Sequence, residues 1–179
     1  MHLILTSTDL PLAELSAMRL DGELVAVDRW YAPFDDFPTE RQRAAALFDG
    51  LPDRLIAERR TAAWVWGAVD TPPAPHEFCT AHDARVTRRP TPHVVIREVV
   101  LGPADTVTIS GLAVTTPQRT AADLLRFTES WSPRDRETTR RLLSIGSVCE
   151  QDVLDELSRH KLPHKRRAVE RLRECVSPN

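Results

Sequence analysis

The chain has 179 residues, of which 41% are hydrophobic and 28% charged, and its formal net charge is -2. These values are typical of a globular protein with one domain, or one domain and a small appendage, and argue against extensive disorder. We find no apolar run of membrane-spanning length and no secretory signal, so we expect a cytoplasmic protein without membrane contact. Its three widely spaced cysteines form neither a disulfide framework nor a CxxC pair.

The charge is unevenly distributed along the chain. Residues 1–40 hold eight acidic and two basic residues, whereas residues 131–179 hold eight acidic and eleven basic ones. The acidic start and the mildly basic end bear on partners and solubility more than on the fold.

The first segment, residues 1–34, predicts a helix followed by a strand pair. Pro11 stands where a first helical turn would begin, and Gly22 is placed to end the helix. The apolar residues on both sides of Asp28 and Arg29 predict two strands joined by a turn. Helix, glycine and hairpin form the closing half of a winged helix, so we assign residues 1–34 to a winged-helix remnant and residues 35–179 to a second domain.

Helices and short strands alternate over the next sixty residues. Thr39 and Gln42 have the spacing of a capping box and predict a helix ending before Gly50. The apolar positions between Leu55 and Trp66 suggest one or two further short helices. Prolines at several positions between residues 72 and 92 exclude regular helix there and leave a short strand over residues 77–80.

The remaining residues predict a sheet and then four helices. β-branched residues dominate 94–101 and 106–115, with Ser110 and Gly111 as a turn. Helices are expected from Thr116, from Ser132, from a capping box at Ser147 and over residues 165–175. The predicted class is α+β: a truncated N-terminal winged helix, then a small, mainly antiparallel sheet with helices.

One spacing suggests a metal site. His76, Cys79 and His82 form an HxxCxxH pattern, and imidazole with thiolate suits zinc. The flanking prolines favour extended chain, in which residues three apart point to opposite faces. The alternative interpretation is loop histidines beside a buried thiol, and a metal-dependent hydrolase is the enzyme hypothesis that this pattern leaves open.

Other signatures of catalysis are missing from the sequence. It has no GxSxG elbow, no P-loop and no GxGxxG, and Lys161 and Lys165, its two lysines, do not follow a strand carboxylate as a restriction-type nuclease would need. We therefore predict a protein that acts by binding, without catalytic residues, a metal or a cofactor.

Two basic clusters are candidates for such binding. Arg85, Arg88 and Arg89 lie in a loop bounded by prolines and could contact phosphates. The second cluster lies on the last predicted helix, where glutamates offset its charge, so a solvated helix face is the alternative; its members are Lys165, Arg166 and Arg167.

Three stretches resemble the AbiEi-type antitoxins and related actinobacterial proteins regarded as transcriptional regulators. Residues 12–33, LAELSAMRLDGELVAVDRWYAP, resemble the family's winged-helix ending. Residues 61–67, TAAWVWG, are similar to its Ser-Ala-Ala-Trp-Leu-x-Gly segment. Residues 109–125, ISGLAVTTPQRTAADLL, resemble its Gly-Leu-x-Val-Thr-x-Pro-x-Arg-Thr-x-x-Asp-Leu signature. The resemblance implies a non-catalytic protein with a winged helix that binds operator DNA and a domain that opposes a toxin similar to a nucleotidyltransferase.

The helix that would read DNA departs from this pattern. It offers Arg19 among several carboxylates, whose negative charge repels phosphate. The turn between the two predicted strands adds Arg29. The winged helix is therefore expected to be degenerate, and a protein-interaction module is the alternative function. In the signature, Arg119 and Asp123 lie four apart on one helix face and can pair with each other. We interpret them as scaffold, with a partner interface as the second interpretation.

Overall fold

A computed structural model of the chain describes residues 4–35, 38–48, 51, 54–81, 93–158 and 163–177. The chain divides into two compact units, Met1–Asp53 with Ile109–Leu112, and Arg54–Thr108 with Ala113–Asn179. The first unit is built from two helices and a hairpin, and the second from a sheet and five helices, counted over the described residues.

The first unit contains a helix, a two-stranded antiparallel sheet and a second helix. Its elements are α1 (Leu12–Leu20), β1 (Leu24–Val27), β2 (Trp30–Pro33) and α2 (Glu40–Phe48). The predicted hairpin is confirmed, with Val27 opposite Trp30 across the turn. The predicted capping box of α2 is confirmed as well, because the Gln42 amide donates to Thr39 Oγ1 at 3.3 Å and the Thr39 amide donates to Gln42 Oε1 at 2.6 Å.

Helix α1 ends in a Schellman motif. Gly22 has a φ of +78°, which glycine adopts without steric cost. The Glu23 amide reaches back to the Met18 carbonyl at 2.9 Å, and the Gly22 amide to the Arg19 carbonyl at 3.3 Å. Leu15, on the inner side of α1, is completely buried. The sequence prediction of a helix ended by Gly22 is therefore confirmed.

The second unit combines a five-stranded mixed sheet with helices. The strands have the order β5-β4-β3-β7-β6. Their bounds are β3 (Ile56–Ala57), β4 (His76–Ala81), β5 (Val94–Val99), β6 (Thr106–Ile109) and β7 (Leu112–Thr115). The helices are α3 (Arg59–Val65), α4 (Pro117–Phe127), α5 (Pro133–Ile145), α6 (Glu150–Ser158) and α7 (Lys165–Val176).

The α+β class is confirmed, and the sheet is more parallel than the sequence suggested. β3 pairs antiparallel with β4, but β3 with β7 and β4 with β5 are parallel. A parallel pair needs a connection of about a dozen residues, and the chain between β4 and β5 has that length. Pairing direction depends on such crossovers, which the strand patterns alone do not reveal.

Two local predictions were wrong. Ile56 belongs to strand β3, where a helix had been expected, because its backbone pairs with Cys79 of β4 and Ala113 of β7. Helix α6 begins at Glu150, and Ser147, with a φ of +49°, does not cap it. Instead, the Asp152 carboxylate accepts the Cys149 amide at 2.8 Å.

Helix α4 occupies the centre of the second unit. It contacts α3, α5, α6 and α7, and every residue from 119 to 126 is buried. Small and aliphatic side chains of these four helices surround it, with Leu142, Val153, Leu157 and Leu172 all fully buried. A helix buried on all sides is normally apolar throughout, yet α4 carries three charged residues in this stretch. Their partners define the candidate site.

Candidate functional site

Backbone and hydroxyl contacts fix the start of α4. Thr116 Oγ1 accepts the Arg119 amide at 3.3 Å, and Pro117 takes the first turn, where its missing N–H costs nothing. Thr115 and Thr120 join their hydroxyls at 2.7 Å. The Trp66 indole donates to the Thr115 carbonyl at 2.9 Å. These contacts confirm the predicted cap and fix where α4 begins.

Asp123 lies at the centre of a buried ionic layer, which we define as Glu58, Arg97, Asp105, Arg119, Asp123 and Arg126. Asp123 is 1% exposed. Its Oδ2 accepts hydrogen bonds from Arg97 Nη2 and Arg119 Nε, both at 3.1 Å, and its Oδ1 accepts one from Arg126 Nη1 at 3.2 Å. The predicted pairing of Arg119 with Asp123 is confirmed as part of this larger arrangement.

Two further carboxylates complete the ionic layer at its edges. Arg119 Nη1 donates to Asp105 Oδ2 and Arg97 Nε to Glu58 Oε1, each at 2.5 Å. Asp105 also accepts the Gly102 amide at 2.7 Å, which holds the loop before β6. Three guanidinium groups thus face three carboxylates. Because buried charges are tolerated only when they are paired and hydrogen-bonded, this balance allows the ionic layer to lie inside the unit.

Burial and pairing act in opposite directions on the ionisation of these groups. Burial lowers the pKa of Arg119, but the Asp123 and Asp105 carboxylates outweigh it, so this pKa lies above its ordinary value. Burial raises the pKa of Glu58, against the hydrogen bond from Arg97. For Arg126, burial prevails over Asp123 and leaves the pKa lowered. The ionic layer links α3, α4 and β5 through charge and presents no exposed nucleophile.

An aromatic ring extends the ionic layer toward the surface. The guanidinium carbons of Arg59, Arg97 and Arg126 lie 4.8, 4.6 and 4.5 Å from the centre of the Phe127 ring. Cation–π contacts of this kind hold planar guanidiniums in place. A cleft of about 290 Å³ opens beside Phe127 and is also lined by Glu77 and Thr128.

Sequence patterns did not predict most residues of the ionic layer. Glu58, Arg97 and Asp105 are far apart in the sequence and have no motif spacing. A usable signal was present in α4, because residues 119, 123 and 126 share one helix face while the flanking positions are apolar. A charged stripe on an otherwise apolar helix requires buried partners, although it does not say which residues they are.

The candidate DNA contacts of the first unit are exposed. Arg19 lies near the end of α1, and Arg29 lies in the turn between β1 and β2. Arg85, Arg88 and Arg89 lie outside the described residues. The structure therefore leaves the phosphate contacts of all five arginines as predictions.

The candidate interface residues of α7 have different surroundings. Arg166 is 94% exposed and pairs with Glu170 at 3.1 Å. Lys165 Nζ donates to Ser158 Oγ at 3.0 Å. Arg167 is half-buried and donates to the carbonyl of Arg126, in the last turn of α4. Lys165 and Arg166 remain accessible, whereas Arg167 serves as a cap for α4.

The candidate metal ligands do not assemble in the described part of the chain. His76 and Cys79 both lie on β4, and His82 is outside the described residues. Among the described residues, His, Cys, Asp and Glu side chains form no group of three or more that could hold a metal ion. Cys79 is fully buried, and this burial raises the pKa of its thiol. Such a thiol is a poor source of the thiolate that zinc requires.

The fold and the ionic layer define a domain of the α+β class with paired charges in its interior, and comparison with known proteins gives its family. Residues 55–175 match the AbiEi antitoxin C-terminal domain. The chain belongs to the AbiEi antitoxin family, whose general role is in toxin–antitoxin systems and regulation and whose members are in general not enzymes. The sequence resemblance is thereby confirmed at the level of the family.

One solved structure supports the fold. The crystal structure of the RV2827C protein from Mycobacterium tuberculosis matches 98% of this chain and 73% of its own, with a TM-score of 0.53 and 16% sequence identity. No curated protein matches the chain. Among the described residues, we find no helix with the length and apolar character needed to cross a bilayer.

Proposed function

We propose that this protein is a cytoplasmic antitoxin that acts by binding a toxin and not by catalysis. The observation that carries the proposal is the coincidence of the family match, residues 55–175, with the unit that contains the ionic layer. In this proposal Arg119 and Asp123 maintain the shape of the domain, and accessible side chains contact the toxin. The resemblance suggests a toxin similar to a nucleotidyltransferase, encoded next to the antitoxin.

The basic start of α7 supports one contact surface. Lys165 and Arg166 are exposed and adjacent in the sequence. Arg167 belongs to the candidate surface by sequence, but its bond to the α4 carbonyl ties it to stability as well. Charges at the rim of an interface mainly increase the association rate. We therefore expect Lys165 and Arg166 to guide an acidic surface of the toxin.

Co-expression tests this proposal directly. The neighbouring nucleotidyltransferase-like protein is induced with or without the full chain, and growth and co-purification are measured. We expect the wild-type chain to restore growth and K165E/R166E to slow association. The matched control reverses Arg54 and Arg134, two exposed arginines of the same unit outside α7. Absence of a complex with the wild-type chain would refute toxin binding. Equal association rates for the two variants would refute a contact through Lys165 and Arg166.

DNA binding by the first unit is the second candidate function. The order α1, Gly22 turn and β-hairpin is that of a winged-helix ending, and the exposed Arg19 and Arg29 flank it. In this version residues 1–34 are a winged-helix remnant and residues 35–179 the AbiEi-like domain. Binding to the promoter of its own gene, measured over a salt series, should show a slope that falls by about one for each phosphate-contacting arginine replaced by alanine.

The arginine loop is tested in the same assay. Replacing Arg85, Arg88 and Arg89 together with alanine should weaken binding to the promoter and to unrelated DNA about equally. It should also reduce the salt dependence of binding. Unchanged binding would remove this loop from the DNA surface.

A further inference from the structure

The outer side of α1 is apolar and exposed. Leu12 is 62% and Leu20 80% exposed, and the alanines at positions 13 and 17 also face outward. The inner side of the helix has its own apolar residue, since Leu15 is fully buried. Helix α1 therefore carries apolar residues on two sides, of which the described part of the first unit covers one.

Phe34 lies at the end of this apolar side. It is 69% exposed, and its amide donates to the Glu23 carbonyl at 2.9 Å. The Glu23 amide in turn donates to the Met18 carbonyl at 2.9 Å, in the last turn of α1. Two successive backbone hydrogen bonds thus place Phe34 beside the C-terminal end of the helix. We name this surface the α1 face; it comprises Leu12, Leu20 and Phe34.

Carboxylates surround the α1 face. Asp21 follows Leu20, Asp35 follows Phe34, and Glu23 is bonded to the Phe34 backbone. All three acids are exposed. Over described residues 4–35 the chain has six acidic side chains against two arginines. An apolar patch with a charged rim is typical of a protein interaction site, and the sign of this rim repels nucleic acid.

We infer that the α1 face docks a basic amphipathic helix of a partner protein. The apolar side of such a helix would cover Leu20 and Phe34, while its lysines and arginines would lie against Asp21, Glu23 and Asp35. Recognition of an amphipathic helix uses apolar anchors spaced three or four residues apart, with charge pairs at the edge. This inference goes beyond the proposed function, because it concerns the first unit and not the AbiEi domain.

A synthetic peptide of about 18 residues, five helical turns, serves as the probe. Leucines occupy one helical face and lysines the other, and a fluorophore reports binding to the full chain by anisotropy. A peptide of the same composition in scrambled order tests whether amphipathicity matters. We expect the amphipathic peptide to bind and the scrambled one to bind at least about tenfold more weakly, since only the ordered sequence can bury its leucines together on the α1 face.

Two pairs of substitutions locate the binding surface. L20S/F34S should weaken peptide binding about tenfold or more. The matched control, I145S/V176S, changes two exposed apolar residues of the second unit and should leave binding unchanged. D21N/E23Q should weaken binding and reduce its salt dependence. Circular dichroism verifies that each variant is folded, which is expected because the substituted side chains are exposed.

Three results would overturn the inference. Equal binding by wild type and L20S/F34S would show that the peptide binds elsewhere. If a DNA duplex binds the full chain and binds the R19A variant more weakly, the first unit binds nucleic acid and not a helix. A dimer in sedimentation that dissociates with L20S/F34S would make the α1 face a contact between two copies. Each result leaves the co-expression test of toxin binding unaffected, so the two proposals fail separately.

Discussion

Asp123→Asn tests whether the ionic layer holds the second unit together. The substitution keeps the size of the side chain and removes its charge, which leaves three guanidiniums facing two carboxylates. Arg97 retains Glu58 and Arg119 retains Asp105. Arg126 loses its carboxylate hydrogen bond and keeps the neutral Pro163 carbonyl at 3.2 Å together with the charge of the buried Glu156. We expect Arg126 to account for most of the lost stability.

The size of the effect follows from these contacts. Removing one partner of a buried ion pair costs about 3–5 kcal/mol. Two of the three arginines keep a carboxylate, so we expect the lower end of this range, about 3 kcal/mol. For a protein of this size, a loss of that magnitude lowers the Tm by about 6–12 °C.

Urea unfolding followed by tryptophan fluorescence measures the change. Three of the four tryptophans belong to the second unit, and a Trp30→Phe background removes the signal of the first. The control is Asp155→Asn, an exposed carboxylate of α6 that accepts one hydrogen bond from Gln151 at 2.8 Å. It should change the free energy of unfolding by less than about 0.5 kcal/mol. Equal midpoints for the two variants would refute the structural role of Asp123.

Four further predictions concern other parts of the chain. Ser132→Ala removes a hydroxyl that accepts the Asp135 amide in the capping box of α5 and should lower stability by about 1 kcal/mol, measured by urea unfolding; an unchanged midpoint would show that the cap is dispensable. Gly111→Ala forces a side chain into a φ of +86°, with its Cβ 3.3 Å from the Phe48 ring, and should cost about 1–2 kcal/mol; a wild-type Tm would contradict this. A thiol reagent should label exposed Cys149 at once and the buried Cys79 and Cys175 after unfolding. Burial raises the pKa of Cys175 from 9.0 to about 11, so the folded state favours the protonated thiol. The free energy of unfolding should therefore fall as the pH rises from 9 to 11. Cys175→Ala should reduce this fall, and a pH profile identical to that of the wild type would exclude the thiol as its source.

Local signals predicted the helices well. Two Thr-Pro or Ser-Pro pairs predicted the starts of α4 and α5, because capping depends on residues within one turn. The pairs are Thr116 with Pro117 and Ser132 with Pro133. Strand β3 escaped prediction since a short apolar run does not distinguish strand from helix. Its two residues form a strand through pairing with β4 and β7, which are distant in the sequence.

The candidate site was predicted only where its residues are neighbours in the sequence. Arg119 and Asp123 lie four apart on α4, and their pairing followed from helix geometry. Arg97 is 26 positions from Asp123, and Glu58 is 39 positions from Arg97. Contacts over such separations depend on the sheet topology, including its parallel crossovers. The charged stripe of α4 indicated a need for partners without identifying them.

The capping of α4 by α7 has a consequence for how the protein is made. Arg167 and Arg171 of α7 donate to the carbonyls of Arg126 and Leu125, which the helix itself leaves unsatisfied. A ribosome synthesises α4 well before α7, so the end of the central helix stays uncapped until α7 has emerged. Loss of α7 would therefore leave the Arg126 and Leu125 carbonyls without these donors and weaken the second unit.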